Sequence, residues 1–293
     1  MTSQRPLTVA FQGERGAFSH QAALEILGAD IDLRPKPSFD ALFEAAVSGE
    51  ADRAVVPIEN SLHGSIHENY DRLRARPLHI IAETQLRIVH CLIARPGARL
   101  DAIESVASHP VALAQCRRFF ADRPHVQAVA AYDTAGSVLD LLRDGSPTHA
   151  AIASSLAART YGGEILLEGI EDDPQNYTRF LVLAREPGSI ERATKTSIVF
   201  ILENVPGALH RALGAFATRG VDLSKIESRP LRGRPWEYEF HLDVMGDPRS
   251  VAGQAIDELR GMSREFRVLG SYPDGLKKTA AAATPVPLDP SAH

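Results

Sequence analysis

The sequence predicts an α/β structure with much parallel sheet, followed by a smaller α+β module of the ferredoxin-like kind. Over residues 7–184, short apolar runs alternate with amphipathic stretches, which is typical of alternating strands and helices. Residues 186–194 are polar and contain Pro and Gly, which indicates a linker. The segments after the linker follow the order β-α-β-β-α-β. The 293 residues are enough for about two domains.

Capping residues mark the elements of the first region. The run LTVAF at residues 7–11 predicts a strand, and Ser19 can cap a helix that ends at Gly28. Ser38 opens a second helix and Gly49 closes it. Further apolar runs predict strands at 54–58, 86–94, 126–131, 150–154 and 178–184, with helices at 110–120 and 135–143.

The region after the linker has its own pattern. Strands are predicted at 196–202, 221–228, 237–244 and 266–272, and helices at 207–220 and 250–260. This order is that of a split β-α-β fold, so we expect a separate domain over residues 195–273. The stretch 274–293 has few large apolar residues and is expected to be a mobile tail.

The composition argues against several classes of function. A net charge of −5 disfavours binding to a nucleic-acid backbone. The two cysteines, Cys91 and Cys116, cannot form a disulfide framework and suit a reducing compartment. The sequence has neither a membrane span nor the apolar core of a signal peptide, so we expect a cytoplasmic protein that does not bind a membrane. Without metal-ligand spacing or a phosphate-binding loop, no metal and no cofactor is expected.

Polar side chains follow a predicted strand at residues 56–65. Glu59, Asn60 and Ser61 come directly after the apolar run, where open α/β sheets form ligand crevices. Asn60 or Ser61 could instead cap a following helix, with Glu59 complementing the helix dipole. A helix start that also binds an anion would combine the two interpretations.

Two further stretches place polar groups beside strands. In 108–116, Ser108 is a helix cap or a ligand group, and Gln115 lies about two turns into the predicted helix. His109 is a candidate general base or a turn residue, and Cys116 is expected in the core. In 172–180, Thr178 and Arg179 point to opposite faces of a strand. An arginine can hold a carboxylate in a bidentate pair, and a neighbouring hydroxyl can donate to a second group.

Together these stretches resemble the prephenate dehydratase family. The motifs are PIENS at 57–61 with Gly64, SHPVALAQC at 108–116 and NYTRF at 176–180, and FQGERGAFSHQAA at 11–23 resembles the family's first motif. The resemblance implies a two-lobed α/β crevice domain, periplasmic-binding-protein-like, over residues 1–185. It also implies conversion of prephenate to phenylpyruvate, with loss of CO2 and of the C4 hydroxide.

The resemblance also implies roles for individual residues. Thr178 falls on the family's catalytic threonine and would act on the C4 hydroxyl, while Arg179 would hold the pyruvyl carboxylate. Glu59 would orient neighbours or support proton delivery. The polar lining would be completed by Asn60, Ser61, Ser108 and Gln115.

The second domain resembles an ACT domain, a ferredoxin-like module that binds amino acids at subunit interfaces. The matching segments are 203–209 and ESRP at 227–230. The resemblance implies feedback by phenylalanine and a homodimer through this domain, or a tetramer. The effector site would be formed by Asn204, Gly207, Ala208, Leu209, Glu227, Ser228 and Arg229. Glu227 and Arg229 could instead form a surface ion pair.

Two other functions remain open at this point. Arogenate dehydratase performs the same reaction on a substrate with an amino group in place of the pyruvyl ketone, and discrimination should lie near residues 133–137. A non-catalytic sensor or solute-binding protein would also use a two-lobed crevice.

Overall fold

The computed structural model describes residues 5–231 and 233–276, which form two compact units. One unit runs to Ile81 and resumes over Leu86–Gly188. The other comprises Ala82–Gln85 and the chain from Ser189 onward. None of the helices in the described part is long and apolar enough to cross a membrane.

The first unit consists of two lobes, each built on one sheet. In chain order its elements are β1 (Leu7–Gln12), α1 (Phe18–Leu27), β2 (Ile31–Lys36), α2 (Phe39–Ser48), β3 (Arg53–Asn60), β4 (Gly64–Ser65), α3 (His67–Ala75), β5 (His79–Arg87), β6 (Cys91–Ala94), β7 (Ser105–Ser108), α4 (Pro110–Ala114), α5 (Arg117–Ala121), β8 (Gln127–Ala130), α6 (Thr134–Asp144), β9 (His149–Ala153), α7 (Ser155–Tyr161), β10 (Glu164–Glu168) and β11 (Tyr177–Ala184).

The strand order shows how the chain passes between the lobes. The first sheet has the order β2-β1-β3-β11-β5, with β4 beside β3, and the second has the order β10-β6-β9-β7-β8. Strand β1 pairs in parallel with β2 and β3, as short β-α-β units require, whereas β11 is antiparallel to β3. The chain leaves the first lobe after β5 and returns to it before β11. This confirms the predicted two-lobed α/β fold.

The predicted run 86–94 is two strands rather than one. Strand β5 ends at Arg87 and β6 begins at Cys91, and the residues between them change lobes. The backbone N–H of Ile88 donates to the carbonyl of Asn176, which ties the outgoing segment to the returning one. Strand β2 was missed because it contains Pro35 and charged residues, which are tolerated at a sheet edge, where β2 lies.

The helix caps are partly as predicted. The Ser38 hydroxyl accepts from the N–H of Ala41 at 3.2 Å, and Gly49 ends α2 in the left-handed conformation at φ 84°. Ser19, by contrast, lies inside α1 and does not cap it. The helical hydrogen bonding already begins at Ala17, whose carbonyl accepts from the N–H of Gln21.

The second unit has the predicted β-α-β-β-α-β order. Its sheet has the strand order β13-β14-β12-β15, and its core contains Phe200, Phe216, Leu242 and Leu259. The elements are β12 (Lys195–Ile201), α8 (Ala208–Ala217), β13 (Leu223–Pro230), β14 (Tyr238–Met245), α9 (Val251–Met262) and β15 (Glu265–Tyr272).

A buried ion cluster lies inside the second unit. Lys195 Nζ is 2.5 Å from Glu83 Oε1 and 2.9 Å from Asp274 Oδ1, and all three side chains are almost fully buried. The two carboxylates compensate the desolvation of one ammonium group. Asp274 therefore does not belong to a mobile tail, and its N–H donates to the Thr194 hydroxyl. The rest of the predicted tail, 277–293, lies outside the described residues.

Candidate active site

A crevice of about 410 Å³ lies between the two lobes of the first unit. Its apolar lining includes Phe18, Ile66, Ile88 and Phe180, which suits a carbon ring. Polar residues from both lobes share the lining: Gln12, Ser19, Asn60, His63, Ser65, His90, His109, Gln115, Asp133, Thr134 and Thr178.

Asn60 makes hydrogen bonds to several groups around this crevice. At the end of β3 it lies opposite Thr178 of β11, and its Nδ2 donates to Thr178 Oγ1 at 2.9 Å and to Asn176 Oδ1 at 2.8 Å. Its Oδ1 accepts from the N–H groups of Leu62 and His63, at 3.0 and 3.1 Å. Asn60 therefore caps a turn rather than the predicted helix, which begins at His67.

The Asn60 contact sets the direction of the Thr178 hydroxyl. Because Thr178 Oγ1 accepts from the amide nitrogen of Asn60, which can only donate, its own proton is available to another partner. Thr178 is 8% exposed and lines the crevice. The structure thus presents a hydrogen-bond donor to a bound molecule.

Gln115 reaches the crevice from the other lobe, at a break in the predicted helix. The helix 110–120 is in fact α4 and α5, with Gln115 ending the first. The Asp172 carboxylate accepts from the N–H groups of Arg117 and Arg118, at 3.0 and 2.9 Å, and so starts a second helix there. The Gln115 carbonyl accepts from the Asp172 N–H at 2.7 Å.

Two histidines flank the Gln115 side chain. His90 Nε2 lies 2.8 Å from Gln115 Oε1, and Gln115 Nε2 lies 3.1 Å from His63 Nδ1. Burial lowers the pKa of His90, so its ring is neutral and its Nε2–H donates to the amide oxygen. Sequence reasoning missed both rings. His90 lies in an apolar run, and His63 lies inside the first motif, where its position beside Asn60 was the available signal.

Asp133 closes one end of the crevice. Its Oδ1 accepts from the N–H of Gly136 at 2.7 Å, so it caps α6. Burial raises the pKa of this carboxyl, and hydrogen bonds from the backbone of Gly136 and Glu14 oppose the rise. Gly13 has φ 101°, and a Cβ there would lie 2.7 Å from Asp133 Oδ2. The glycine-rich first motif thus allows the loop to approach this carboxylate.

Two predicted ligand hydroxyls are held by the backbone instead. Ser61 Oγ donates to the carbonyl of Gln175 at 2.8 Å and accepts from the N–H of Tyr177. Ser108 is fully buried, and its Oγ donates to the carbonyl of Ile152 at 2.6 Å. Neither serine lines the crevice, so the structure assigns them to joining strands. In both cases the hydroxyl at or just after a strand end bonds to the backbone of a neighbouring segment.

Glu59 and Arg179 are also not brought to the crevice lining. They lie opposite each other in the pairing of β3 with β11, and both are at least half-buried. Thr178 and Phe180 line the crevice, and the alternation along a strand turns Arg179 to the other face. The roles predicted for Glu59 and Arg179 therefore lack this geometric support.

His109 lies at the crevice as the N-cap of α4, where its Nδ1 accepts from the N–H of Val111 at 3.3 Å. This geometry agrees with the turn interpretation. Cys116 is a core residue, as predicted, and burial raises its pKa. Burial also raises the pKa of Cys91 to about 12, so neither thiol is an activated nucleophile.

The second unit carries a smaller cavity of about 270 Å³. Asn204, Gly207, Ala208 and Leu209 line it together with Trp236, which sequence reasoning missed. Glu227, Ser228 and Arg229 do not line it, because they belong to β13 at the sheet edge. The predicted effector set is therefore divided between a cavity and an edge strand.

Other depressions offer less chemistry. One of about 550 Å³ lies against Arg99, Asp101 and Arg123, but the Arg99 guanidinium pairs with Asp101 at 2.8 Å. Within residues 5–231 and 233–276 no three His, Cys, Asp or Glu side chains are grouped to hold a metal ion.

Comparison with known proteins agrees with these features. The sequence profile of the prephenate dehydratase family matches residues 9–188, and that of the ACT domain matches residues 196–261. A relative from Arabidopsis thaliana, arogenate dehydratase/prephenate dehydratase 2, is 45% identical, and the match covers 90% of this chain and 72% of the relative.

Two solved structures are similar over almost the whole chain. Prephenate dehydratase from Arthrobacter aurescens, in complex with L-Phe, is 36% identical with a TM-score of 0.83, covering 97% of this chain and 93% of that one. A protein described as a novel type of quorum-quenching acylase is 34% identical with a TM-score of 0.84, covering 91% and 97%.

The relatives correct one expectation. Several matching proteins from Arabidopsis thaliana are named as chloroplastic. These names contradict the predicted cytoplasmic location, which is withdrawn.

Proposed function

The chain belongs to the prephenate dehydratase family, and on that premise we propose that it converts prephenate to phenylpyruvate. As a member of this family it is a carbon–oxygen lyase. One observation carries the proposal: Asn60 holds the Thr178 hydroxyl as a donor at the rim of a ring-sized crevice. The reaction loses CO2 and the C4 hydroxide, and the hydroxide is the group that needs such a donor.

Aromatisation of the ring supplies the driving force, so the residues have only to assist the departure of oxygen. The pKa of an aliphatic alcohol is too high for full proton donation at neutral pH, so Thr178 stabilises the developing charge by hydrogen bonding. Asn60 keeps the hydroxyl oriented before substrate arrives, which avoids a reorganisation cost.

We expect the crevice to stabilise one carboxylate of the substrate more than the other. Among its described lining residues there is no Lys or Arg. Gln115 and His109 offer neutral or weakly basic groups to one carboxylate. Poor stabilisation of the ring carboxylate raises its ground-state energy, which favours loss of CO2.

Arogenate is the second candidate substrate, and two observations favour it. The names of the plant relatives include arogenate dehydratase, and the carboxylate of Asp133 faces the crevice within the 133–137 segment. A carboxylate is a suitable partner for the ammonium group that arogenate carries.

A direct comparison of the two substrates tests the proposal. Purified protein is assayed for phenylpyruvate from prephenate and for phenylalanine from arogenate, and we expect the higher kcat/KM on prephenate. Asp133→Asn keeps the helix cap and removes the charge, so it should lower turnover of arogenate more than that of prephenate. A higher kcat/KM on arogenate in the unmodified protein would reverse the assignment.

We also propose that phenylalanine regulates the chain through the 270 Å³ cavity of the ACT domain. Asn204 and Gly207 would contact the effector, and Glu227, Ser228 and Arg229 of an edge strand would contribute at a dimer interface. Exposed Val205, Ile226 and Trp236 support association through this domain. Analytical ultracentrifugation with and without phenylalanine tests this, and a monomer under both conditions would contradict it.

A further inference from the structure

A series of polar side-chain contacts joins Thr178 to the buried ring of His90. It runs from Thr178 Oγ1 through the amide of Asn60, the imidazole of His63 and the amide of Gln115. Asn60 Oδ1 lies 3.3 Å from His63 Nδ1. The two lobes therefore meet through side chains whose donors and acceptors must agree with one another.

The His90 end sets the direction of this series of contacts. The neutral His90 ring donates to Gln115 Oε1, which turns the amide nitrogen of Gln115 toward His63. An amide nitrogen only donates, so Gln115 offers a proton to Nδ1 of His63. His90 and Gln115 thus act as positioning residues for the His63 ring.

His63 Nδ1 has a partner in both protonation states. The neutral ring with its proton on Nε2 can accept from Gln115 Nε2 at 3.1 Å, and the imidazolium can instead donate to Asn60 Oδ1 at 3.3 Å, so protonation exchanges one partner of Nδ1 for the other. The other nitrogen, Nε2, has no partner among the described residues. The ring is solvent-exposed and also lines the crevice, so it can exchange protons with water and face a bound molecule.

We infer that His63 is the proton donor to the leaving C4 hydroxide, with Thr178 hydrogen-bonding to the same oxygen. This rests on the proposed function. The donating form is the imidazolium, whose Nδ1–H donates to Asn60 Oδ1. The C4–O bond breaks, its electron pair stays on oxygen, and that oxygen takes the proton of Nε2 and leaves as water, so His63 is left neutral with its remaining proton on Nδ1. The bond from the ring to its carboxylate breaks, CO2 departs, and the electron pair of that bond completes the aromatic ring. Solvent then reprotonates His63, so one proton is consumed per turnover.

The other described titratable groups that face the crevice fit this role less well. His90 is buried and neutral, and the carboxyl of Asp133 is held by backbone N–H groups. His109 Nδ1 accepts from the start of α4. His63 alone among these four combines exposure with hydrogen-bond partners for two protonation states.

Two variants of the full-length protein test the inference. His63→Gln keeps a polar side chain of similar length but cannot be an acid, and His63→Ala leaves room for added imidazole. We expect both to lower kcat about a hundredfold with little change in KM, since general acids contribute about that much or more. Imidazole should restore part of the rate of His63→Ala, and the decline of kcat at high pH should disappear in His63→Gln.

His67→Gln is the matched control, because His67 is an exposed histidine four residues away that does not line the crevice. It should keep its activity, and circular dichroism should show all variants folded. A folded His63→Gln with kcat within twofold of the unmodified protein would overturn the inference, and so would a loss without imidazole rescue and with an unchanged pH profile. An unmodified protein that turns over neither prephenate nor arogenate would instead overturn the proposed function.

Discussion

The crevice of the first unit and the cavity of the ACT domain hold their polar groups in different ways. In the crevice, side chains hold one another: Asn60 alone makes hydrogen bonds to Asn176 and Thr178 at 2.8 and 2.9 Å. In the ACT cavity, the corresponding contact is a single long hydrogen bond of 3.5 Å, from Asn204 Nδ2 to the carbonyl of Trp236. Trp236 is 81% exposed and has φ 67°.

The difference follows from what each region has to do. A donor that stabilises developing charge is most effective when its direction is set before the reaction. A regulatory site must be able to take up two conformations, because a ligand shifts the equilibrium between two conformations only if it binds them with different affinities. The crevice is therefore expected to tolerate fewer substitutions than the cavity.

The largest expected effect is on catalysis alone. Thr178→Ala should lower kcat about a hundred- to a thousandfold, because loss of a donor to a developing oxyanion costs roughly 3 to 4 kcal/mol. Phenylalanine binding, measured by calorimetry, should not change. Thr178→Ser keeps the hydroxyl and should recover most of the rate. A near-normal kcat for the alanine variant would remove Thr178 from its role.

The second prediction is a loss of effector binding without a loss of catalysis. Gly207 starts α8 at φ 78°, a conformation that a β-branched residue adopts at a cost of about 1 to 2 kcal/mol. Gly207→Val should weaken phenylalanine binding roughly five- to thirtyfold and leave uninhibited kcat intact, as titration calorimetry and an assay would show. Gly207→Ala should have a smaller effect. Unchanged binding would place the effector elsewhere.

Acid should weaken the first unit through His20. Burial, with a smaller contribution from the charge of Arg15, lowers the pKa of His20 from 6.5 to about 4. Between these values the unfolded chain binds a proton that the folded chain does not. Stability is therefore full above pH 6.5 and declines as the pH falls toward 4, by at most about 1.4 kcal/mol per pH unit.

Urea unfolding at pH 7 and pH 5 measures this decline. His20→Asn can still accept from the Gly16 N–H, which now donates to His20 Nδ1 at 2.8 Å, and it does not titrate in this range. The variant should lose less stability than the unmodified protein between the two pH values. An equal loss would assign the acid sensitivity to other groups.

The smallest effect is expected at Ser108. Its hydroxyl donates to a buried carbonyl, so Ser108→Ala should lower the free energy of unfolding by about 1 kcal/mol and leave KM within twofold. Thermal denaturation measures the change in stability, and steady-state kinetics measures KM. A large rise in KM with unchanged stability would restore Ser108 as a substrate ligand.

The sequence predicted the fold better than the site. Strand runs and caps such as Ser38 and Gly49 depend on neighbours in the chain, so local patterns identify them. The motif residues Asn60, Gln115 and Thr178 do line one crevice. Their spacing alone could not say so, because two of them lie in one lobe and one in the other.

The errors in the predicted site have one physical cause: the sequence does not reveal the direction in which a side chain points. Ser61, Ser108 and Arg179 lie in the motifs, but strand alternation and nearby carbonyls turn them away from the crevice. His63 and His90 became visible only when α4 brought Gln115 between them. Such contacts join residues 25 and 52 positions apart, and no local pattern encodes them.

The strand pairing at the base of the second lobe has a consequence for how such proteins diversify. Cys91, where that lobe begins, lies opposite Glu168, where it ends, in the pairing of β6 with β10. Residues 91–168 therefore form an insert whose two ends are neighbours, so a single gene segment can be replaced without moving the rest of the chain. That segment carries Gln115 and Asp133, whereas Asn60 and Thr178 stay in the host. Recombination at residues 91 and 168 would therefore exchange the residues that select the substrate and leave Asn60 and Thr178 unchanged.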